Sequence, residues 1–124
     1  MGLDQYVFIR NPNRDPSRPP DVAPPIEECD KELFYWRKHA DLEGWMERLY
    51  RLKGGTEVEF NCTEVELTLV DITRLAMEHK KLRTHTGFFF GSSSTYHINQ
   101  TEEFIPLATS LLEQGHQLYY TSWW

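Results

Sequence analysis

The chain has 124 residues, of which 40% are hydrophobic and 14% aromatic, so we expect one domain, 1–124, whose core needs no disulfide or metal. Its 13 basic and 19 acidic side chains give a net charge of −6 with neutral histidines. Because an acidic protein repels phosphate backbones, this charge disfavours direct binding to nucleic acid.

The first predicted elements are a strand and a loop. Residues 3–10, LDQYVFIR, alternate well and are rich in β-forming side chains, which predicts a strand. Residues 11–25 contain six of the seven prolines. Proline removes a backbone donor and favours extended geometry in the residue before it, so this stretch is predicted to be an exposed loop that is either mobile or functional.

A helix is predicted from Leu33 to about Lys53, where Gly54 and Gly55 follow and end it. Gly44 inside this helix costs about 1 kcal/mol relative to alanine, which indicates that another group packs closely against the backbone there. The apolar side chains recur at i, i+3, i+4 and i+7, and the stripe comprises Trp36, His39, Leu42, Trp45, Met46 and Leu49.

A second strand and a second helix follow. Val65 and Leu67 lie on one side of an alternating segment, which predicts the strand. Thr68 with Asp71 three residues later resembles a capping box, so the helix is expected to begin at Thr68 and to run to about Lys81. Its predicted buried face comprises Ile72, Leu75, Ala76 and His79.

The last third of the chain predicts an extended segment, a helix and a strand. Residues 87–92 form the extended segment, and the helix is expected to open at Thr101, with Pro106 early in it, and to end at Gly115. Its buried face comprises Phe104, Leu107, Ala108, Leu111 and Leu112. Residues 116–124, HQLYYTSWW, read as a closing strand. The pattern predicts an α+β domain, a mixed sheet of about four strands with three helices packed on it.

Motifs for metal, nucleotide or covalent chemistry are missing from the sequence. GFFFGSSS, residues 87–94, lacks the lysine of a phosphate-binding loop and the closing glycine of a serine-hydrolase elbow, so Phe88–Phe90 are predicted to form a strand buried on both faces. The five histidines lie far apart and lack metal-ligand spacing. We therefore assign no metal, no cofactor and no catalytic residue.

Cysteine usage and hydropathy bear on the cellular setting. Cys29 and Cys62 form neither a CxxC pair nor a disulfide framework, which fits a reduced, cytoplasmic environment. No apolar run approaches membrane length, and no basic-then-apolar signal opens the chain. We therefore expect a cytoplasmic protein without a membrane partner.

Two short stretches stand out as candidate binding surfaces. Arg37, Lys38 and His39 bunch three potential cations at a predicted helix start, where the helix dipole is already positive. Either internal carboxylates, from Asp4, Asp41 or Glu43, or an anionic partner must offset this charge. If the site were catalytic, His39 would be its acid or base. At the other end of the chain, YYTSWW finishes on two indoles that are either buried or available to a partner.

Several strings in this sequence resemble a family of small proteins of uncharacterised function encoded by phages and bacterial genomes. They are MGLDQYVF, YWRKHADLEGWM, KGG with FNC, LTLVDI, TGFFFG and YYTSWW, in the family's order and across nearly the whole chain except the proline-rich loop. The family usually carries histidine where this sequence has Glu43, which argues against a metal or catalytic pair formed with His39. The resemblance implies an accessory protein of a mobile element that acts on host machinery.

We therefore expect a non-enzymatic binding protein that engages a host protein, with defence inhibitors such as anti-CRISPR proteins as one example of the class. A homodimer through the same residues is an alternative partner arrangement. The second candidate function is a small-molecule binder or enzyme acting on an anionic ligand such as a nucleotide, and a DNA mimic is a third. The predicted binding residues are Trp36, Arg37, Lys38, His39, Trp45, Tyr120, Ser122 and Trp123.

Overall fold

Four strands and three helices form the part of the chain that a computed structural model describes, residues 2–12, 29–86 and 91–124. In chain order they are β1 (Asp4–Ile9), β2 (Lys31–Arg37), α1 (Ala40–Leu52), β3 (Val65–Leu67), α2 (Leu69–Glu78), α3 (Thr95–Glu113) and β4 (Leu118–Trp123), and a 3₁₀ turn over His79–Lys81 continues α2. Most of the predicted proline-rich loop, and the predicted strand at Phe88–Phe90, lie outside the described residues.

The strands form one sheet in the order β2-β1-β4-β3, with every described pairing antiparallel. The two ends of the chain therefore meet at the centre of the sheet, where β1 pairs with β4. The predicted α+β domain with about four strands and three helices is confirmed. The sheet is antiparallel, whereas a mixed sheet was expected, because the segment after the first loop is a strand that returns beside β1.

That strand, β2, covers the first five residues, 33–37, of the helix predicted from Leu33. Phe34 and Trp36 point into the core while Tyr35 and Arg37 are exposed, which is the two-residue period of a strand. Trp36, His39 and Leu42 are spaced three residues apart but do not lie on one helix: Trp36 belongs to β2, Leu42 belongs to α1, and His39 lies between the two elements. The helical period begins only with α1.

The prediction that something packs against Gly44 is confirmed. A Cβ built on Gly44 would lie 2.6 Å from Cγ of His85, so the ring of His85 occupies the space that any side chain here would need. The helix then ends at Leu52, before Gly54, which adopts a positive φ of 92°.

The predicted start of α2 is also confirmed. Thr68 is its N-cap: its side chain accepts the Asp71 backbone N–H, while Asp71 Oδ2 accepts the Thr68 backbone N–H at 2.8 Å. Ile72 and Leu75 are buried as expected, and His79 is buried in the 3₁₀ turn, whereas Ala76 is exposed.

The third helix starts six residues earlier than predicted. Ser94 is the N-cap, and its backbone N–H donates to Nδ1 of His97 at 3.0 Å, so histidine takes the place that Glu or Gln holds in the usual capping box. Pro106 consequently lies in the interior of α3 and not near its beginning. The buried face keeps Phe104 and Ala108, while Leu107 is exposed.

Replacing Pro106 by alanine is expected to stabilise the protein. Pro106 is exposed, so alanine loses little packing there. An interior proline costs a helix about 3 kcal/mol, and its rigidity in the unfolded chain recovers about 1 kcal/mol, so the free energy of unfolding should rise by about 2 kcal/mol. Urea unfolding of Pro106→Ala checks this, and an unchanged or lower midpoint would contradict an interior position. Thr109→Ala, one turn later, is the control.

The core lies between one face of the sheet and the helices. Its largest fully buried side chains are Trp36, Tyr120, Phe60 and Phe104. Aromatic rings on the other face of the sheet form a chain of contacts through Tyr6, Phe8, Tyr35, Tyr119 and Trp123. Within the described ranges, no helix has both the length and the apolar character that crossing a membrane requires.

Candidate functional site

The eight predicted binding residues separate into buried and exposed groups. Trp36, Trp45, Tyr120 and Ser122 are buried, so they do not contribute to an exposed surface, and their role in binding stays a prediction. Strand alternation turns Trp36, Tyr120 and Ser122 toward the helices, and Trp45 lies on the core face of α1. Of the other four, Arg37, Lys38 and Trp123 are exposed, whereas His39 is buried.

The buried polar members serve an internal hydrogen-bond network centred on Glu43. The Tyr120 hydroxyl donates to Glu43 Oε1 at 2.5 Å, and the Ser122 hydroxyl donates to Glu43 Oε2 at 2.8 Å. Gln5 Nε2 donates to the Tyr120 oxygen and to the His39 carbonyl, each at 2.9 Å. The Gln5 side-chain oxygen accepts the His39 backbone N–H at 2.8 Å. The network joins β1, β4 and the start of α1.

Burial raises the pKa of Glu43 from 4.5 to about 7, even though the two hydroxyl donors favour the ionised form. The carboxyl group therefore titrates near neutral pH while it is fully enclosed in the protein. Here the carboxyl group is a hydrogen-bond acceptor for β4, which is a structural role.

Ser93 caps α1 in place of the N-cap residue's own side chain. Its hydroxyl oxygen accepts the Asp41 backbone N–H at 2.9 Å and lies 2.6 Å from His39 Nδ1. Because that oxygen already accepts one hydrogen, its own hydrogen is available to donate to His39 Nδ1. His39 itself makes no side-chain cap bond to α1. The serine run after GFFFG thus positions a helix start, a role that its sequence did not reveal.

His39 is a neutral, buried imidazole. Burial first, and then the neighbouring His97 and His79, lower its pKa from 6.5 to about 3. Its ring stacks on His97 with centroids 4.9 Å apart, and its Nε2 has no hydrogen-bond partner in the described part of the chain. A pKa this low makes His39 a weak base at neutral pH, which disfavours the catalytic interpretation.

His97 links α3 to the end of β2, and it is not among the predicted binding residues. Because Ser94 donates to Nδ1, the hydrogen of the ring lies on Nε2, which donates to the Arg37 carbonyl oxygen at 2.7 Å. The signal that could have found it is the Ser-x-x-His spacing of a capping box with an unusual acceptor. This bond brings the first turn of α3 next to Arg37 and Lys38.

Lys38, the residue after β2, has a strained backbone conformation. Its φ of 59° is in the left-handed region, which costs a residue with a side chain about 1–3 kcal/mol. Two glycines make room for its side chain: a Cβ on Gly91 would lie 3.1 Å from Lys38 Cβ, and one on Gly2 would lie 3.2 Å from Lys38 Cε. Its backbone N–H donates to the Leu3 carbonyl oxygen at 2.8 Å.

The two neighbouring cations are offset differently. Arg37 NH1 pairs with Asp4 Oδ1 at 2.5 Å, and the Tyr35 hydroxyl donates to the same oxygen at 2.6 Å. The Tyr35 hydrogen bond and Arg37 together lower the pKa of Asp4. The carboxylate of Asp4 therefore neutralises the charge of Arg37 within the protein. Lys38 makes no ion pair or side-chain hydrogen bond with residues 2–12, 29–86 or 91–124.

The described part of the chain contains no group of three His, Cys, Asp or Glu side chains that could hold a metal ion.

A comparison with protein-family models, curated proteins and solved structures finds no match for this chain. The candidate site is therefore the group of residues around Lys38. It comprises Gly2, Lys38, His39, Gly91 and Ser93, and we call it the Lys38 corner.

Proposed function

We propose that the protein is a non-enzymatic binding protein whose ligand presents a carboxylate or phosphate group to Lys38. The observation that carries this proposal is Lys38, which has a left-handed backbone conformation, lies close to Gly2 and Gly91, and has no acidic partner among the described residues. The restricted backbone limits the directions that its side chain can take. A cation with fewer conformations loses less conformational freedom when it binds an anion.

The surroundings of Lys38 also favour an anion. The chain enters α1 at Ala40, so the positive end of that helix dipole lies close by. The N-terminus of α3 is tied to Arg37 through His97, and it adds a second positive end. Asp41 and Glu43 in the first turn of α1 offset part of its dipole, but no described carboxylate forms an ion pair with Lys38 itself. A bound phosphate or carboxylate group would neutralise the positive charge at the Lys38 corner.

The chemistry of the corner supports binding without turnover. The Ser93 hydroxyl is engaged by His39 and by the Asp41 N–H, and the imidazole beside it is a weak base. Activation of a serine requires a base that can accept its proton near neutral pH. Of the two anionic-ligand functions expected from the sequence, this favours the binder over the enzyme.

Isothermal titration calorimetry tests the proposal with inorganic phosphate and with ATP as the two probes. We expect measurable binding of at least one probe to the wild type, and at least tenfold weaker binding to Lys38→Met, which keeps the aliphatic stem and removes the charge. Lys80→Met is the matched control, because Lys80 already pairs with Glu102 on α3. The proposal would be rejected if neither probe bound the wild type, or if Lys38→Met bound a probe as tightly as Lys80→Met does.

A protein partner is the second candidate function, and it is favoured by the exposed rings on the outer face of the sheet. Trp123 is 50% exposed and Tyr35 is 38% exposed, and both rings contact Tyr6. Large half-exposed aromatic side chains are typical of interface anchors. Engagement of a host protein, with the mobile-element setting that the resemblance implies, would use this face and not the buried Trp36 and Trp45.

The second candidate is tested with the double variant Tyr35→Ser and Trp123→Ser. Sedimentation of the purified protein distinguishes a homodimer, which this variant should dissociate, from a monomer. For a host partner, the protein captured by the wild type and absent with the variant must bind again after purification. Leu107→Ser, exposed on α3, is the control. Capture and sedimentation that do not change in the double variant would exclude this face.

A further inference from the structure

A groove of about 500 Å³ runs between α1 and α2, and none of its lining residues belongs to the Lys38 corner. Trp45 and Leu49 of α1 and Leu82 after α2 line its apolar part. Leu52 and Met77 also line it, and they are 72% and 80% exposed. The groove thus offers apolar surface that folding leaves open to solvent.

The polar lining of this groove is mostly cationic. It comprises Arg48, Arg74, Lys81 and Arg83, with Glu78 as the acidic member. Four basic groups against one acidic group give a local charge of +3, whereas the whole chain carries −6. Positive charge is therefore concentrated in this groove, against the balance of the chain.

Glu78 is already engaged by its neighbours. Arg74 Nε lies 3.5 Å from Glu78 Oε2, and Trp45 Nε1 donates to Glu78 Oε1 at 3.3 Å. The other three cations, Arg48, Lys81 and Arg83, form no ion pair or hydrogen bond with the residues that the structure describes. Two of them also repel each other: burial and the nearby Arg83 lower the pKa of Arg48, while Glu78, Glu47 and Asp41 act in the opposite direction. Since none of these carboxylates forms an ion pair with Arg48, Lys81 or Arg83, the three cations are available to pair with an acidic group of a ligand.

We propose that this groove docks a short acidic segment of a partner protein, with apolar side chains on its floor and carboxylates against Arg48, Lys81 and Arg83. The apolar lining distinguishes such a segment from a free inorganic anion, which would leave Leu52 and Met77 exposed. Arginine pairs with carboxylates through two parallel hydrogen bonds, which fixes the orientation of the segment. The acidic remainder of the chain would repel a long polyanion such as nucleic acid.

Fluorescence anisotropy tests the proposal with a labelled 12-residue peptide built from alternating pairs of glutamate and leucine. We expect the wild type to bind this peptide, and Arg48→Gln with Arg83→Gln to weaken binding by roughly a hundredfold, about tenfold for each arginine. Lys81→Gln should weaken it as well, whereas Lys80→Gln should not, because Lys80 points to Glu102 and does not line the groove. Met77→Gln should also weaken binding if the apolar contact contributes, and because Met77 is exposed this change should not unfold the protein.

Three outcomes would overturn the proposal: no binding of the peptide, equal binding to the double arginine variant, or equal binding of a glutamate-only peptide of the same charge. Binding of a single-stranded oligonucleotide in preference to the peptide would also overturn it and would assign the groove to nucleic acid. Far-ultraviolet circular dichroism of each variant, matched to wild type, ensures that a loss of binding is not a loss of fold. The result is independent of Lys38, so Lys38→Met should bind the peptide as the wild type does.

Discussion

Trp36→Ala is expected to lower the free energy of unfolding by about 3–5 kcal/mol, the cost of removing a large ring from a packed core. The Trp36 side chain is fully buried, and its ring contacts Phe34 and Phe104 with centroids 4.7 and 4.9 Å apart. Its Nε1 also donates to the Thr101 hydroxyl at 3.2 Å, so truncation removes a buried hydrogen bond as well. Urea unfolding followed by circular dichroism measures the change.

Trp123→Ala is the matched control, because the two tryptophans lie on opposite faces of the sheet. Trp123 is half exposed, so its removal should cost about 1 kcal/mol or less. A stability loss for Trp36→Ala no larger than that for Trp123→Ala would mean that Trp36 is a surface anchor, as the sequence suggested. Trp36→Phe should fall between the two, since it keeps a ring but leaves Thr101 without its donor.

Glu43→Gln is expected to make the protein more stable than the wild type above neutral pH. The folded pKa of Glu43 is about 7, above its ordinary 4.5. The stabilisation from this group is therefore fully present below pH 4.5 and is lost as the pH rises to about 7. The loss corresponds to about 3 kcal/mol, from 1.36 kcal/mol per pKa unit. Glutamine can accept from Tyr120 and donate to Ser122, so the variant keeps both contacts without a charge.

The difference in stability between the variant and the wild type, measured by urea unfolding at pH 5, 6, 7 and 8, isolates this effect. His39 acts in the opposite sense: with its pKa lowered to about 3, its contribution is lost as the pH falls below 6.5. Because both proteins contain His39, it cancels in the difference. Glu57→Gln, at an exposed position, should run parallel to the wild type. A Glu43→Gln curve that is also parallel would contradict a buried, neutral carboxyl group.

Local signals were sufficient for several elements. The Thr68 capping box, the alternation of Val65 and Leu67, and the closing strand depend on residues a few positions apart, and each was predicted with nearly correct bounds. Gly44 is similar, since a glycine inside a helix already indicates a close neighbour. The identity of that neighbour, His85, could not be predicted, because it depends on how two distant segments pack.

The errors arose where two periodicities overlapped or where tertiary pairing decided the outcome. Trp36 and His39 fit a helical stripe by spacing, yet β1 pairs with this segment and makes it a strand. Thr101 followed by two glutamates looked like a helix start, and only the unusual Ser94–His97 cap showed that α3 had already begun.

The candidate site was predicted in part. The exposed cations Arg37 and Lys38 were found from their clustering, but which of them is paired depends on Asp4, which lies opposite Arg37 on the adjacent strand β1. The Glu43 network joins residues from the two ends of the chain and from α1, so no sequence spacing could reveal it. The strain at Lys38 is likewise a property of backbone geometry alone.

The measurement that tests the Lys38 corner most directly is a two-dimensional ¹H–¹⁵N NMR titration of the wild type with inorganic phosphate. The proposal predicts that amide shifts concentrate at Lys38–Asp41 and at Ser93–His97 and that Lys38→Met abolishes them. Shifts confined to the groove around Arg48 and Arg83, or spread evenly over the chain, would contradict an anion site at Lys38.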